Sequence, residues 1–156
     1  MRVTSYRMMM TDDKHPYLIK EANYEYNVQT MLNCPEKISG FLNTVFHLQD
    51  CCEEYVYLLC FDNRYKPTGI FELSHGTADM SVVGIRELYQ RVLLSGAVSF
   101  VIVHNHPSGN TEPSEEDKDI FSKINDASRI MGVLQADFII VGRDGYLSFR
   151  NEGYYQ

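Results

Sequence analysis

The sequence predicts an α/β fold: a single domain with a central mixed β-sheet flanked by helices. Three observations carry this. Short runs rich in β-branched and aromatic residues recur along the chain. Between them lie segments whose apolar residues fall at helical spacing. The chain has 156 residues, 44% hydrophobic and 22% charged, which is one domain's worth of ordinary globular composition. Hairpin turns join some strands and a strand–loop–helix–strand unit joins others, so the sheet should be mixed.

The elements follow in chain order. Residues 1–34 are the least readable and are assigned to an N-terminal extension; YLIKEANYEYNV has room for a strand or two. Asn33-Cys34-Pro35-Glu36 reads as a helix start with Pro in the first turn. In the helix KISGFLNTVFHL, residues Ile38, Phe41, Leu42, Val45 and Leu48 share a face. EYVYLLCF, residues 54–61, is a strand ending at the turn Asp62-Asn63, and a second strand over about 68–74 completes a hairpin. Ile85, Leu88, Tyr89 and Val92 mark a helix over 83–94, with Gly96 just past its end. VSFVIV, residues 98–103, is a near-continuous apolar run, as suits a strand buried on both faces. A helix begins after Ser114 and ends at Gly132; a strand follows over 134–141. Arg143-Asp144-Gly145 turns the chain into a last strand over 146–149, and residues 151–156 form a tail.

Bulk properties narrow the function. The net charge is −7, against the broad basic surface that phosphate binding normally needs. No stretch reaches the roughly 20 apolar residues of a membrane span, and the first residues lack a secretory signal's apolar region. Cys34, Cys51, Cys52 and Cys60 form no Cys-x-x-Cys pair, so they read as reduced thiols of a cytoplasmic protein.

The chemistry concentrates in VIVHNHPSGNTEPSEEDKDI. Residues i and i+2 of a strand point the same way, so His104 and His106 project from one face at a strand's carboxyl end, where open α/β sheets commonly place sites. Asn105 alternates to the other side and reads as structural. Pro107 stiffens the following loop and Gly109 permits its turn. Ser114 reads as an N-cap with Asp117 at N3, where the helix dipole favours a charged carboxylate. Two imidazoles and a carboxylate are a familiar catalytic zinc set, with bonds of about 2.0–2.2 Å and a fourth position for water. Alone, a His-x-His pair is more often an ordinary surface or core feature, and acids near residue 115 suit any helix start.

The full string, His-x-His, seven residues, Ser, two residues, Asp, resembles the JAMM motif of the MPN/JAB metalloprotease family. HNHPSGNTEPSEED, with the flanking FELSHGTADMS and DFIIVGRDGYLSF, resembles the RadC branch, and the likeness spans residues 35–150. The resemblance implies a JAB/MPN domain with cytidine-deaminase-like layering. It implies one zinc ion on His104, His106 and Asp117, with Ser114 contacting the catalytic water or the oxyanion. It also implies a glutamate on an earlier strand as general acid/base. Glu72 is the match chosen, because a carboxylate within an apolar strand needs a reason; a charge that blunts a sheet edge is the plainer one. Glu54 and Glu87 are the other candidates, and Glu87 falls in a helix where a solvated acid is ordinary. His75, His15 and His47 carry no pattern.

The expected activity is that of a zinc-dependent metallohydrolase, a peptidase or isopeptidase acting on a peptide or protein substrate. Two alternatives stand beside it: a DNA-repair-associated or nucleic-acid-processing factor of the RadC type, and a non-catalytic zinc-binding interaction module. RadC proteins usually carry a helix-hairpin-helix part ahead of this domain. The residues before the first expected helix are too few for it, so the reading is of a stand-alone catalytic domain.

Overall fold

A computed structural model describes residues 1–26, 31–76 and 83–155. The ends of two expected segments, residues 27–28 of the N-terminal strands and 77–81 of FELSHGTADMS, lie outside the described residues. The chain runs β1 (Arg2–Met10), β2 (Pro16–Glu25), α1 (Pro35–Phe46), β3 (Tyr55–Phe61), β4 (Pro67–His75), α2 (Ile85–Leu94), β5 (Ser99–Asn105), α3 (Glu115–Met131), β6 (Leu134–Gly142) and β7 (Gly145–Ser148). Among the described residues the strands form one sheet in the order β2-β1-β4-β3-β5-β6-β7. It is mixed, as expected: β1 runs parallel to β4 and β5 parallel to β6, while the other neighbours are antiparallel.

The N-terminal strands are full members of this sheet. β1 and β2 form a long hairpin, and β1 docks on β4. Their half-exposed pattern, with three consecutive Met in β1 and three charged residues in β2, gives weak alternation, which is why the sequence shows them poorly. The first helix also ends earlier than its apolar spacing suggests. α1 stops at Phe46, His47 turns left-handed at φ 51°, and Leu48 enters the core from a separate turn of 3₁₀-helix.

Both faces of the sheet are covered. Ile38, Phe41 and Leu42 of α1 pack with Tyr57, Leu59, Ile70, Val101 and Val103 on one face. Leu88 and Val92 of α2 and Ile120, Phe121 and Ile124 of α3 pack with Leu58, Phe71, Phe100, Ile102 and Phe138 on the other. This double cover explains why β5 is buried at every position. No helix among the described residues is long and apolar enough to cross a membrane.

Candidate metal centre

β5 carries the first ligand to the sheet's edge of the α3 face. His104 lies on the same side as Phe100 and Ile102, fully buried, with its ring edge-on to Phe138 at 5.4 Å. His106 follows where the strand ends, its backbone N–H still donating to Val141 O at 2.9 Å. The crossover into α3 brings the third group. Ser114 caps α3: its Oγ accepts from Asp117 N at 3.0 Å, and Asp117 Oδ2 accepts from Ser114 N at 2.8 Å. This capping box fixes the Asp117 side chain over the histidines.

The sequence-predicted ligands therefore meet. His104 Nε2 lies 3.1 Å from His106 Nε2 and 3.1 Å from Asp117 Oδ1, and His106 Nε2 lies 3.3 Å from Asp117 Oδ2. Bonds of about 2.0–2.1 Å around a tetrahedral zinc ion place neighbouring ligand atoms about 3.3 Å apart; the two imidazole nitrogens lie close to that separation, and each has a different oxygen of the Asp117 carboxylate at a similar distance. The proton inventory agrees. His106 Nδ1 is 2.8 Å from Asn110 O, which can only accept, so Nδ1 holds the proton in the neutral ring and Nε2 presents a lone pair. That lone pair faces a carboxylate oxygen, an arrangement relieved by a proton or by a cation at their common centre.

The surroundings set the charges. Burial pushes His104 down toward the neutral, ligand-competent ring, against the pull of Asp117. The hydrogen bond that the protonated ring donates to Asp117 pushes His106 up, more than its own burial lowers it. Burial would raise Asp117, but bonds from both histidines and from Ser114 outweigh it and hold its carboxyl far below the usual carboxylate range. A metal must displace the proton that His106 holds more tightly than usual. Metal retention is therefore expected to fall as pH drops through the raised His106 value, above the pH at which His104 alone would protonate; dialysis at graded pH followed by metal analysis checks this.

The loop after His106 is held by close backbone approach. Gly109 adopts φ +85°, and a Cβ on Gly142 would run into the Gly109 carbonyl and the Thr111 methyl. Gly142→Ala is thus expected to push this loop, and Asn110 O with it, away from His106. The expected cost is about 1–3 kcal/mol in urea denaturation, with weaker metal binding.

A cavity of about 390 Å³ opens over the cluster, lined by His106, Ser114 and Asp117 and by Glu53, Glu54 and Glu116. Glu54 is 6% exposed, and its charge contributes to the upward push on His106. Glu72 is elsewhere. On β4, Phe71 packs on the α3 face and Ile70 on the α1 face, so alternation sends Glu72 with Ile70, away from His104. It sits opposite Tyr57, is exposed, and bonds His75 Nδ1 at 2.6 Å, with His75 stacked on Tyr55 at 5.3 Å. The choice of Glu72 over Glu54 is corrected on this ground: its strand is one further from β5 and its side chain is on the wrong face. Glu87 lies in the first turn of α2 as an ordinary helix-start acid. Sequence reasoning passed over Glu54 because its one signal, a position just before a strand, matters only once β3 is known to run antiparallel beside β5, with Val56 opposite His104. Ser114 lines the cavity as expected, but it donates its hydroxyl proton to Asp117 Oδ2 at 2.8 Å.

Known proteins give the same picture. The family described as RadC-like JAB domain matches residues 32–154. A UPF0758 protein of Thermotoga maritima is 36% identical over 125 residues, covering 76% of this chain and 56% of the relative. UPF0758 proteins of Pelobacter propionicus and Acidithiobacillus ferrooxidans are 35% and 33% identical, covering 69% and 78% of this chain and 47% and 54% of the relatives. The chain thus spans about half the length of these curated relatives. With a mixed sheet between helices and a buried His-His-Asp cluster that fits a metal ion, the chain belongs to the RadC-like JAB domain family.

Proposed function

We propose that the chain is a zinc-dependent peptidase or isopeptidase that hydrolyses an amide bond of a peptide or protein substrate. The observation that carries this reading is that two members of the His104–His106–Asp117 cluster, His106 and Asp117, line one cavity together with a buried carboxylate, Glu54, that is not one of the three. When bound, a zinc ion supplies a Lewis acid and a water made nucleophilic near neutral pH. His104 and His106 would hold it through Nε2 and Asp117 through a carboxylate oxygen. Glu54 accepts the proton of the attacking water and returns it to the leaving nitrogen. Ser114 is first a positioning residue: its N–H and O–H both hold Asp117 Oδ2, and its hydroxyl must leave that oxygen before it can serve an oxyanion.

Two features favour this reading over the alternatives. None of the described residues lining the cavity is Lys or Arg, and Glu53, Glu54 and Glu116 are among them, which suits a phosphodiester poorly. A non-catalytic metal module would have no use for a buried glutamate beside the metal.

The test is metal content by mass spectrometry, comparing the chain with a folded His104→Ala/His106→Ala variant. About one zinc per chain, lost in the variant, is the expected result. A chain that neither holds zinc nor takes it up overturns the reading.

A further inference from the structure

We propose that Asn105, the residue between the two histidines, is a positioning residue for Glu54. The inference rests on the metal and Glu54 reading above.

Glu54 stands just outside β3, beyond the last rung that pairs β3 with β5, Val56 opposite His104. Its backbone has therefore left the ladder, yet its carboxylate must be held against a metal centre carried by the other strand. The Asn105 side chain takes over where the ladder stops. Its Oδ1 accepts from Tyr55 N at 2.8 Å, and its Nδ2 donates to Glu53 O at 3.0 Å. These two groups belong to the two peptide units on either side of the Glu54 Cα, so one amide fixes both. From β4, Gly76 N donates to Glu54 O at 3.1 Å and holds the second of those peptides from its other end.

Asn105 is 1% exposed, so neither contact is shared freely with water. The geometry calls for an acceptor and a donor on two separate atoms of a short side chain, which the asparagine amide supplies. Because His104, Asn105 and His106 are consecutive, the residues that hold the metal and the residue that sets the base move as one piece of backbone. A base displaced by about 1 Å loses on the order of 10²-fold in rate; Asn105 is the described group that bridges β5 to the Glu54 backbone.

The test reads the visible absorption of the cobalt(II)-loaded chain against pH, which needs no substrate. Glu54→Gln should keep one cobalt per chain and move the midpoint of the spectral change to lower pH, because an anion that opposes loss of a proton beside it is gone. Asn105→Ala, and the milder Asn105→Ser, should bind the same cobalt and move the midpoint in the same direction. Asn105→Ala combined with Glu54→Gln should move it no further than Glu54→Gln alone, since both act through one carboxylate.

Each other outcome overturns something definite. No cobalt on the unaltered chain removes the metal reading and the inference together. An unmoved midpoint in Glu54→Gln removes the role of Glu54, and the inference with it. A shift in Glu54→Gln beside unmoved midpoints in both Asn105 variants, or additive shifts in the double variant, overturns the inference alone. Failure of both Asn105 variants to fold also overturns it, marking a general structural role.

Discussion

Glu54→Gln should leave about one zinc per chain in place while amide hydrolysis falls by roughly 10²–10⁴-fold, the usual contribution of a positioned general acid/base. Gln keeps the size and the polar end of the side chain but cannot accept and return a proton at neutral pH. Glu54 is buried in the wall of the cavity and is not one of the three residues whose ligand atoms converge, so metal affinity should be nearly untouched. Glu72→Gln is the matched control. Glu72 is exposed on the opposite face and bonded to His75, so its replacement should leave both metal content and turnover unchanged. The comparison needs a panel of peptide and isopeptide substrates. Loss of turnover in Glu72→Gln with retention in Glu54→Gln would reverse the assignment.

Asp117→Ala should have the larger structural effect. Asp117 is 1% exposed and serves three groups at once: both histidines and the Ser114 end of α3. Removing it deletes a ligand, so zinc should fall to near zero by mass spectrometry. It also leaves Ser114 N–H without its acceptor and removes the anion between buried His104 and partly buried His106. Loss of a buried charged partner costs about 3–5 kcal/mol, and a decrease of that order in the metal-free urea stability is expected. Asp117→Asn should recover part of this stability, because its amide oxygen can still accept from Ser114, yet remain a poor zinc ligand. An Asp117→Ala chain as stable as its parent would mean that the capping box contributes little.

What was readable in the sequence follows from distance along the chain. His104, His106, Ser114 and Asp117 lie within one strand–loop–helix unit, so local periodicity and cap chemistry placed them near one another, and the resemblance to the JAMM motif joined them as one set. The same holds for α3, delimited by Ser114 and Gly132, and for the largely apolar run of β5. Glu54 immediately precedes a partner strand some fifty residues away, and only the strand order reveals that β3 lies beside β5. Alternation along β4 puts Ile70 and Glu72 on one side. Both faces of this sheet are buried, however, so nothing in the alternation says which side holds the metal centre. The β1–β2 hairpin was faint for the opposite reason: a half-exposed edge imposes little pattern.

The strand order has one more consequence. β3 is the middle strand of the sheet and β5 is its neighbour, so both arms of the candidate site hang from the part of the molecule with hydrogen-bonded strands on both edges and packed side chains on both faces. Amide protons there should exchange with solvent deuterium only through openings close to the global unfolding free energy, while those of β2 exchange through local fraying. The site would then share the all-or-none character of the whole chain. Damage far away in the core should reduce the number of competent molecules, and each molecule still folded should bind metal as tightly as before.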